Sequence, residues 1–159
     1  VYIMKKTNIF RLLGIGTFAT GLAMLDNSIK NSIEDGEIDN GVIEHTKGFA
    51  EIEKHHNKGL MLNKFSNKTK EVTALSVFVM FFQALITLND ALEKDDAVTD
   101  MANAFILGGA LSNTYDRVER GYVVDYLKVG RKRAIYNLSD FFIIFGVILR
   151  LIKAIKDNG

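Results

Sequence analysis

The 159 residues contain no cysteine and no proline. Without cysteine there is no disulfide frame, no thiol nucleophile and no thiolate metal site, and the redox compartment leaves no mark. Without proline nothing interrupts long helices. An excess of one charge is lacking too. Lys and Arg number 20 against 19 Asp and Glu, a formal net charge of +1, which suits neither a nucleic-acid binder nor an acidic tail protein. The length fits one domain and is short for two. No low-complexity run or long internal repeat occurs.

Apolar sequence is what the chain has in quantity. Charge is missing from Leu12–Leu25, Val72–Asn89, Met101–Tyr115 and Phe141–Leu149. A membrane-spanning helix needs about 20 mostly apolar residues, with ~17 as the lower bound. Only Val72–Asn89 clears that alone; the others reach it by taking in Arg11, Asp26, Asp140 or Arg150. The mean hydropathy of +0.09 is low for a membrane protein but is diluted by the polar stretch 27–71. Hydropathy therefore leaves a four-span membrane protein and a soluble helical bundle both open.

Small residues favour the membrane. Gly14, Gly16 and Gly21 lie inside the first run and Gly108 and Gly109 inside the third. In a soluble helix each glycine costs about 0.5–1 kcal/mol relative to alanine; in a membrane small residues let helices approach closely. Residues 5–25 also read as a signal peptide, but no small-x-small cleavage site precedes Asp26, so a retained first span is expected. The expected fold is an all-α membrane protein with a small extracytoplasmic subdomain, a β candidate, between helices 1 and 2, one domain over 1–159. Four transmembrane helices are placed near 9–26, 72–89, 98–116 and 136–153, with outer segments at 27–71 and 117–135.

Two short blocks share a spacing. SNTYDR (112–117) closes the third apolar run and NLSD (137–140) opens the fourth, so Asn113 precedes Asp116, and Asn137 precedes Asp140, by three residues. Antiparallel neighbouring helices would bring both blocks to one membrane face, each asparagine on its aspartate's side of the helix. Two carboxylates sharing a site do not both ionise readily, and such a pair can activate water against a peptide bond. Ionisable groups inside spans are costly and point to function. A plainer reading fits the pattern better by itself: Asp116 pairs with Arg117 or Arg120 at the surface, and Asp140 merely caps a helix with Asn137.

LGGALSNTYDRVERGYVVDYL followed by YNLSDFFIIFGVIL resembles the lipoprotein signal peptidases (signal peptidase II), multi-span bacterial aspartic peptidases. Gly108, Gly109, Ala110, Asn113, Asp116, Arg117, Gly121, Val123, Val124, Asp125, Asn137, Asp140 and Gly146 match the family's paired blocks. LDNSIK (25–30) is similar to its L-D-Q-x-[ST]-K element and HNKG (56–59) to its N-x-G element. The chain departs from the family at Ser112, where glycine is usual, at Asn27 in place of glutamine, and at Leu60-Met61-Leu62, where Ala-Ala-Phe or similar follows.

The resemblance implies an endopeptidase that removes signal peptides from diacylglyceryl-modified prolipoproteins, cutting before the lipidated cysteine. It implies a multi-pass protein of the bacterial cytoplasmic membrane, with the active site near the outer face. Asp116 and Asp140 are the expected catalytic pair, and Asn57, Gly59, Asn113, Arg117, Gly121, Asn137, Asp26 and Lys30 the expected substrate-binding and supporting residues. No metal or cofactor is expected. The partners are prolipoproteins and membrane lipid, not nucleic acid. Helix dipoles predict a protonated Asp116 at a helix C-terminus and an ionised Asp140 at a helix N-terminus. GFAEIEKHHNKGLML (48–62) is expected to form strands resting on the membrane, as in the family's outer sheet, although its period-two alternation is poor.

Other features carry less. Glu51, Glu53, His55 and His56 lack a well-spaced metal-binding pattern. LGIG lies in an apolar helix and is no nucleotide fingerprint. Arg131-Lys132-Arg133 reads as a solvated or headgroup-facing patch. With the N-terminus inside, outer segments 27–71 and 117–133 hold thirteen of the twenty Lys and Arg residues, against the positive-inside rule. Orientation therefore follows from the resemblance. Two rival readings are a degenerate paralogue that binds lipopeptides without cutting them and a non-enzymatic helical interaction protein.

Overall fold

The computed structural model describes residues 6–43, 46, 49–60, 63–93, 96–130 and 134–158. Four long helices form: α1 (Lys6–Glu34), α2 (Thr69–Glu93), α3 (Ala97–Glu119) and α4 (Leu138–Asn158). Between them run β1 (Gly41–Val42), β2 (Ala50–Asn57), β3 (Val123–Val129) and β4 (Ile135–Tyr136). Helix α3 is the central one, packed against α1, α2 and α4. Asp96 starts it as N-cap, its carboxylate accepting from Thr99 N at 2.9 Å, which satisfies one of the free N–H groups of the first turn.

The expected β subdomain between the first two helices needs correction in its make-up. The strands make one antiparallel sheet in the order β1-β2-β3-β4, and half of it comes from the segment after α3. It is therefore not a subdomain inserted between the first two helices alone. The register, Asn57 opposite Val123 and His55 opposite Asp125, ties the two outer segments together. Helix α1 also continues past Asp26 to Glu34, so 27–34 is helix and not loop. Met61, Leu62 and the basic run 131–133 lie outside the described residues.

Strand β3 explains how the sheet sits on the helices. Alternate residues point to opposite faces. Val124 and Tyr126 pack with Ile33 in one apolar cluster, joined by Ile29 and Leu138, while Val123 and Asp125 face a cavity on the other side. Both sets are buried, so β3 is an interior strand despite its polar flanks.

Helix surfaces remain apolar. Phe10, Leu13 and Phe18 on α1, Phe78, Phe81 and Phe82 on α2, and Phe145, Ile148 and Leu151 on α4 are exposed. Apolar surface of this extent marks contact with a partner or with lipid. Helices α1 and α2 are long and apolar enough to cross a membrane. Close approach occurs where the third run supplies glycine. A Cβ on Gly109 would lie 2.4 Å from the Ser139 carbonyl of α4, and one on Gly108 2.8 Å from the Ala19 carbonyl of α1. Gly146 meets the Ala102 carbonyl of α3 in the same way, at 2.7 Å. The glycines of LGIGTFATG do not follow that logic, for nothing lies within 4 Å of Gly14, Gly16 or Gly21.

At the helix ends away from the sheet, charge is neutralised across elements. Arg11 makes two 2.8 Å bonds to Asp100. Arg150 reaches Asp90 at 2.5 Å and Asn103 at 3.2 Å. The charges flanking the helices at this end are thus partly paired with each other.

Candidate active site

Asp116 and Asp140 are not brought face to face. Asp116 sits in the last turns of α3, fully buried, with Lys30 Nζ 3.0 Å from its Oδ2. The same oxygen accepts from Val124 N at 3.1 Å, and Arg120 Nε lies 3.5 Å from Oδ1. The carboxylate joins α1, α3 and β3 from behind the cavity and does not line it. The plainer sequence reading had the Arg120 partner but placed the pair at the surface, whereas Asp116 is buried and Lys30 is its nearer cation.

Asp125 takes the place beside Asp140. Both line a cavity of about 220 Å³ beneath the sheet. Asp125 accepts from Asn137 Nδ2 at 2.8 Å and from Asn57 Nδ2 at 3.0 Å. Asp140 accepts from Asn113 Nδ2 at 3.1 Å and from Asn137 N at 3.2 Å. Asn137 Oδ1 in turn accepts from Asp140 N at 3.0 Å. This is a reciprocal capping box at the start of α4, so Asp140 caps its helix and faces the cavity at once. Burial, reinforced by the nearby Asp140 charge, pushes the Asp125 carboxyl up to about 7, against the lowering effect of Asn57 and Asn137.

The remaining expected residues divide into two groups. Asn57, Asn113 and Arg117 line the cavity. Arg117 also donates to Asn113 O at 3.2 Å and Gly59 O at 3.1 Å, tying the 57–60 turn to α3. Gly59 has backbone where a side chain would go, with Lys64 O only 2.1 Å from an ideal Cβ. Gly121 lies outside the cavity wall; its φ of +78° makes the turn from α3 into β3, a conformation that favours glycine.

Asp26 and Lys30 sit behind the cavity in a buried polar knot. Asp26 accepts from Tyr126 Oη at 2.9 Å, Ser112 Oγ at 2.7 Å and Ser139 Oγ at 2.5 Å. Lys30 Nζ lies 2.8 Å from Asp26. It also donates to Ser112 Oγ and to Asn113 Oδ1, both at 3.0 Å. That last bond orients the Asn113 amide so that its Nδ2 points to Asp140. Ser112, a departure from the family pattern, has its hydroxyl in this knot and not at the cavity.

On the sheet's outer surface Lys128 bridges Glu53 at 2.9 Å and Glu51 at 3.1 Å, and His56 meets Glu34 at 2.7 Å. Of the side chains weighed above as metal ligands, Glu51 and Glu53 are thus held by Lys128 and His56 by Glu34. Asp125 was in view as a family match but was given no role. The available signal was VVDYL, a carboxylate enclosed by apolar residues in a strand-like run.

A helical bundle with lipid-type surfaces, capped by a small sheet over a carboxylate-lined cavity, has the architecture of a bacterial membrane enzyme. A protein so described, solved by the in meso method at 2.3 Å resolution, superposes with a TM-score of 0.78 at 25% identity, covering 99% of this chain and 94% of that one. A second, at 1.9 Å resolution, gives 0.74, also at 25% identity, covering 91% and 94%. The family model described as signal peptidase (SPase) II matches residues 18–156, and the chain belongs to that family. The lipoprotein signal peptidase of Moorella thermoacetica is 36% identical over 94 residues, 59% of this chain and 61% of that one. That of Staphylococcus aureus (strain bovine RF122 / ET3-1) is 30% identical over 114 residues, 70% of this chain and 69% of its own. The match therefore spans about three fifths of the Moorella relative's length.

Proposed function

We propose that the protein is a four-span aspartic endopeptidase of the bacterial cytoplasmic membrane, with Asp125 and Asp140 as its catalytic pair near the outer face. It removes signal peptides from diacylglyceryl-modified prolipoproteins, cutting before the lipidated cysteine. The observation that carries this reading is the shared cavity, where two carboxylates from different elements are each held by asparagine amides.

The geometry supports a division of labour. Asp140 stands in the first turn of α4, where free N–H groups and the positive dipole end favour a carboxylate; it is the base. Asp125, holding a proton to about pH 7, is the acid. Asp140 takes a proton from water as the water oxygen adds to the scissile carbonyl carbon. Asp125 gives its proton to the carbonyl oxygen. When the tetrahedral species collapses, the C–N bond breaks. The cysteine nitrogen leaves with the proton Asp140 had taken, and the new carboxyl's hydroxyl proton returns to Asp125. The lipid chains have an apolar route beside the cavity: Leu75, Val79 and Met80 of α2 and Ile143 of α4 line a lateral groove that shares Asn113 and Arg117 with it.

The test is cleavage of a diacylglyceryl-modified prolipoprotein by the purified protein in lipid. Asp125→Asn and Asp140→Asn should each lower the rate by about 10²–10⁴-fold without loss of fold. Asp116→Asn should keep measurable cleavage in its folded fraction. Near-native turnover by Asp125→Asn overturns the pair.

A further inference from the structure

A second cavity of about 500 Å³ opens outward from the first and shares Asn57, Asp125, Ala134 and Ile135 with it. Its other walls are polar: Glu53 and His55 of β2, Asn63, and Lys128 of β3. The two chambers thus meet at Asp125 and differ in chemistry. The inner one is bounded by Ile143 and Ile144 of α4, the outer one by the sheet.

We propose that the outer cavity is the subsite for the substrate residues that follow the lipidated cysteine, and that it selects basic over acidic side chains there. The inference rests on the peptidase reading above. A bond cut at Asp125 has an apolar signal segment on one side and a polar mature chain on the other. The cysteine's acyl chains must stay in hydrocarbon, while the backbone after it carries polar groups that hydrocarbon cannot satisfy. The outer cavity adjoins Asp125 and leads toward the polar face. An extended chain advances about 3.3–3.6 Å per residue, so the second and third residues after the cysteine would pass Glu53 and Lys128.

Charge sets the preference. Lys128 is already shared by Glu51 and Glu53, and the described ionisable residues of the wall are otherwise Asp125 and His55. Among the described residues Glu51 and Glu53 outnumber Lys128, so an incoming Lys or Arg finds a partner in Glu53, and an incoming Asp meets like charge.

Two S-diacylglyceryl prolipopeptides, identical but for Lys-Lys or Asp-Asp at the second and third residues after the cysteine, test this. Binding is measured to Asp140→Asn protein in lipid nanodiscs, so no turnover is needed. The Lys-Lys peptide should bind about five-fold tighter at low salt, the scale of one partly exposed ion pair. The advantage should shrink as salt is added. Glu53→Gln should flatten the ratio and Glu53→Lys should reverse it. Equal binding of the two peptides, or the same ratio in Glu53→Lys, overturns the subsite. Cleavage by the unsubstituted protein is followed in parallel. Its failure on both peptides counts against the peptidase reading itself, whereas equal affinity with normal cleavage counts against the subsite alone.

Discussion

Lys30 is the residue on which the polar interior turns. Its ammonium has no exposed surface and contacts Asp26, Asp116, Ser112 and Asn113. A charge taken wholly out of water persists only when paired and hydrogen-bonded, and here two aspartates share it. Lys30→Met takes the nearest cation from both, leaving Asp116 only the 3.5 Å contact with Arg120, and removing one partner of a buried pair costs about 3–5 kcal/mol. That loss should appear in denaturant unfolding of the detergent-solubilised protein; a loss within about 1 kcal/mol would show that the knot is not held by this charge. Asp125 supplies the pH prediction. Its proton is bound more tightly than in a free carboxyl and is released near pH 7. An acid needed in its protonated form is present below that value and absent above it. The cleavage rate should therefore fall as pH rises through about 7, and since the pair titrates together the midpoint belongs to both carboxylates. A rate that climbs steadily from about pH 6 to 9 would remove Asp125 from the acid's role.

At the scale of elements, three glycines of α3 and α4 set how closely the helices pack. Gly109 and Gly146 face carbonyl oxygens across the α3–α4 contact at distances no Cβ tolerates, and Gly108 does the same toward α1. Gly109→Ala should push α3 from α4 and with it Asn113 from Asp140, at a cost of about 1–3 kcal/mol, the scale of overpacking. Gly14→Ala enters open space and should leave stability unchanged or raise it by up to about 1 kcal/mol. Measured side by side in one detergent, equal effects of the two substitutions would show that close approach is not what Gly109 provides. The capping box at the start of α4 works at this scale too, for the residues that begin the helix also present Asp140 to the cavity.

For the molecule as a whole, the proposed orientation puts the sheet outside and the α2–α3 connection inside. A chain without cysteine is a clean background for testing this, since each introduced cysteine is the sole labelling site. Lys58→Cys and Asn67→Cys, both exposed on the sheet side, should react with a membrane-impermeant maleimide in intact cells. Glu93→Cys, exposed at the far end of α2, should react only after lysis. The reverse pattern would invert the topology, and equal labelling of all three would argue against four spans. Recovery of the protein in the membrane fraction after alkaline washing is the companion expectation.

Four long helices, the membrane setting and the family were legible in the sequence because they are written locally: uncharged runs, absent proline, and paired N-x-x-D blocks with fixed neighbours. Asn57, Asn113, Arg117, Asn137 and Asp140 were all read as site residues, and all reach the cavity or the asparagine network around it. The companion of Asp140 was a matter of tertiary structure. Helix periodicity placed Asp116 at the right end of the right helix, but what a side chain faces there depends on which buried cation lies opposite, and Lys30 comes from 86 positions earlier. Asp125 enters the cavity because β3 folds back under the helix ends and pairs with β2 across 68 positions. A strand's period of two then turns Val124 and Tyr126 to the core and Asp125 to the opening. VVDYL marks a strand-like run in the sequence, but that its pairing with the distant β2 sets Asp125 beside Asp140 is decided only in the folded chain.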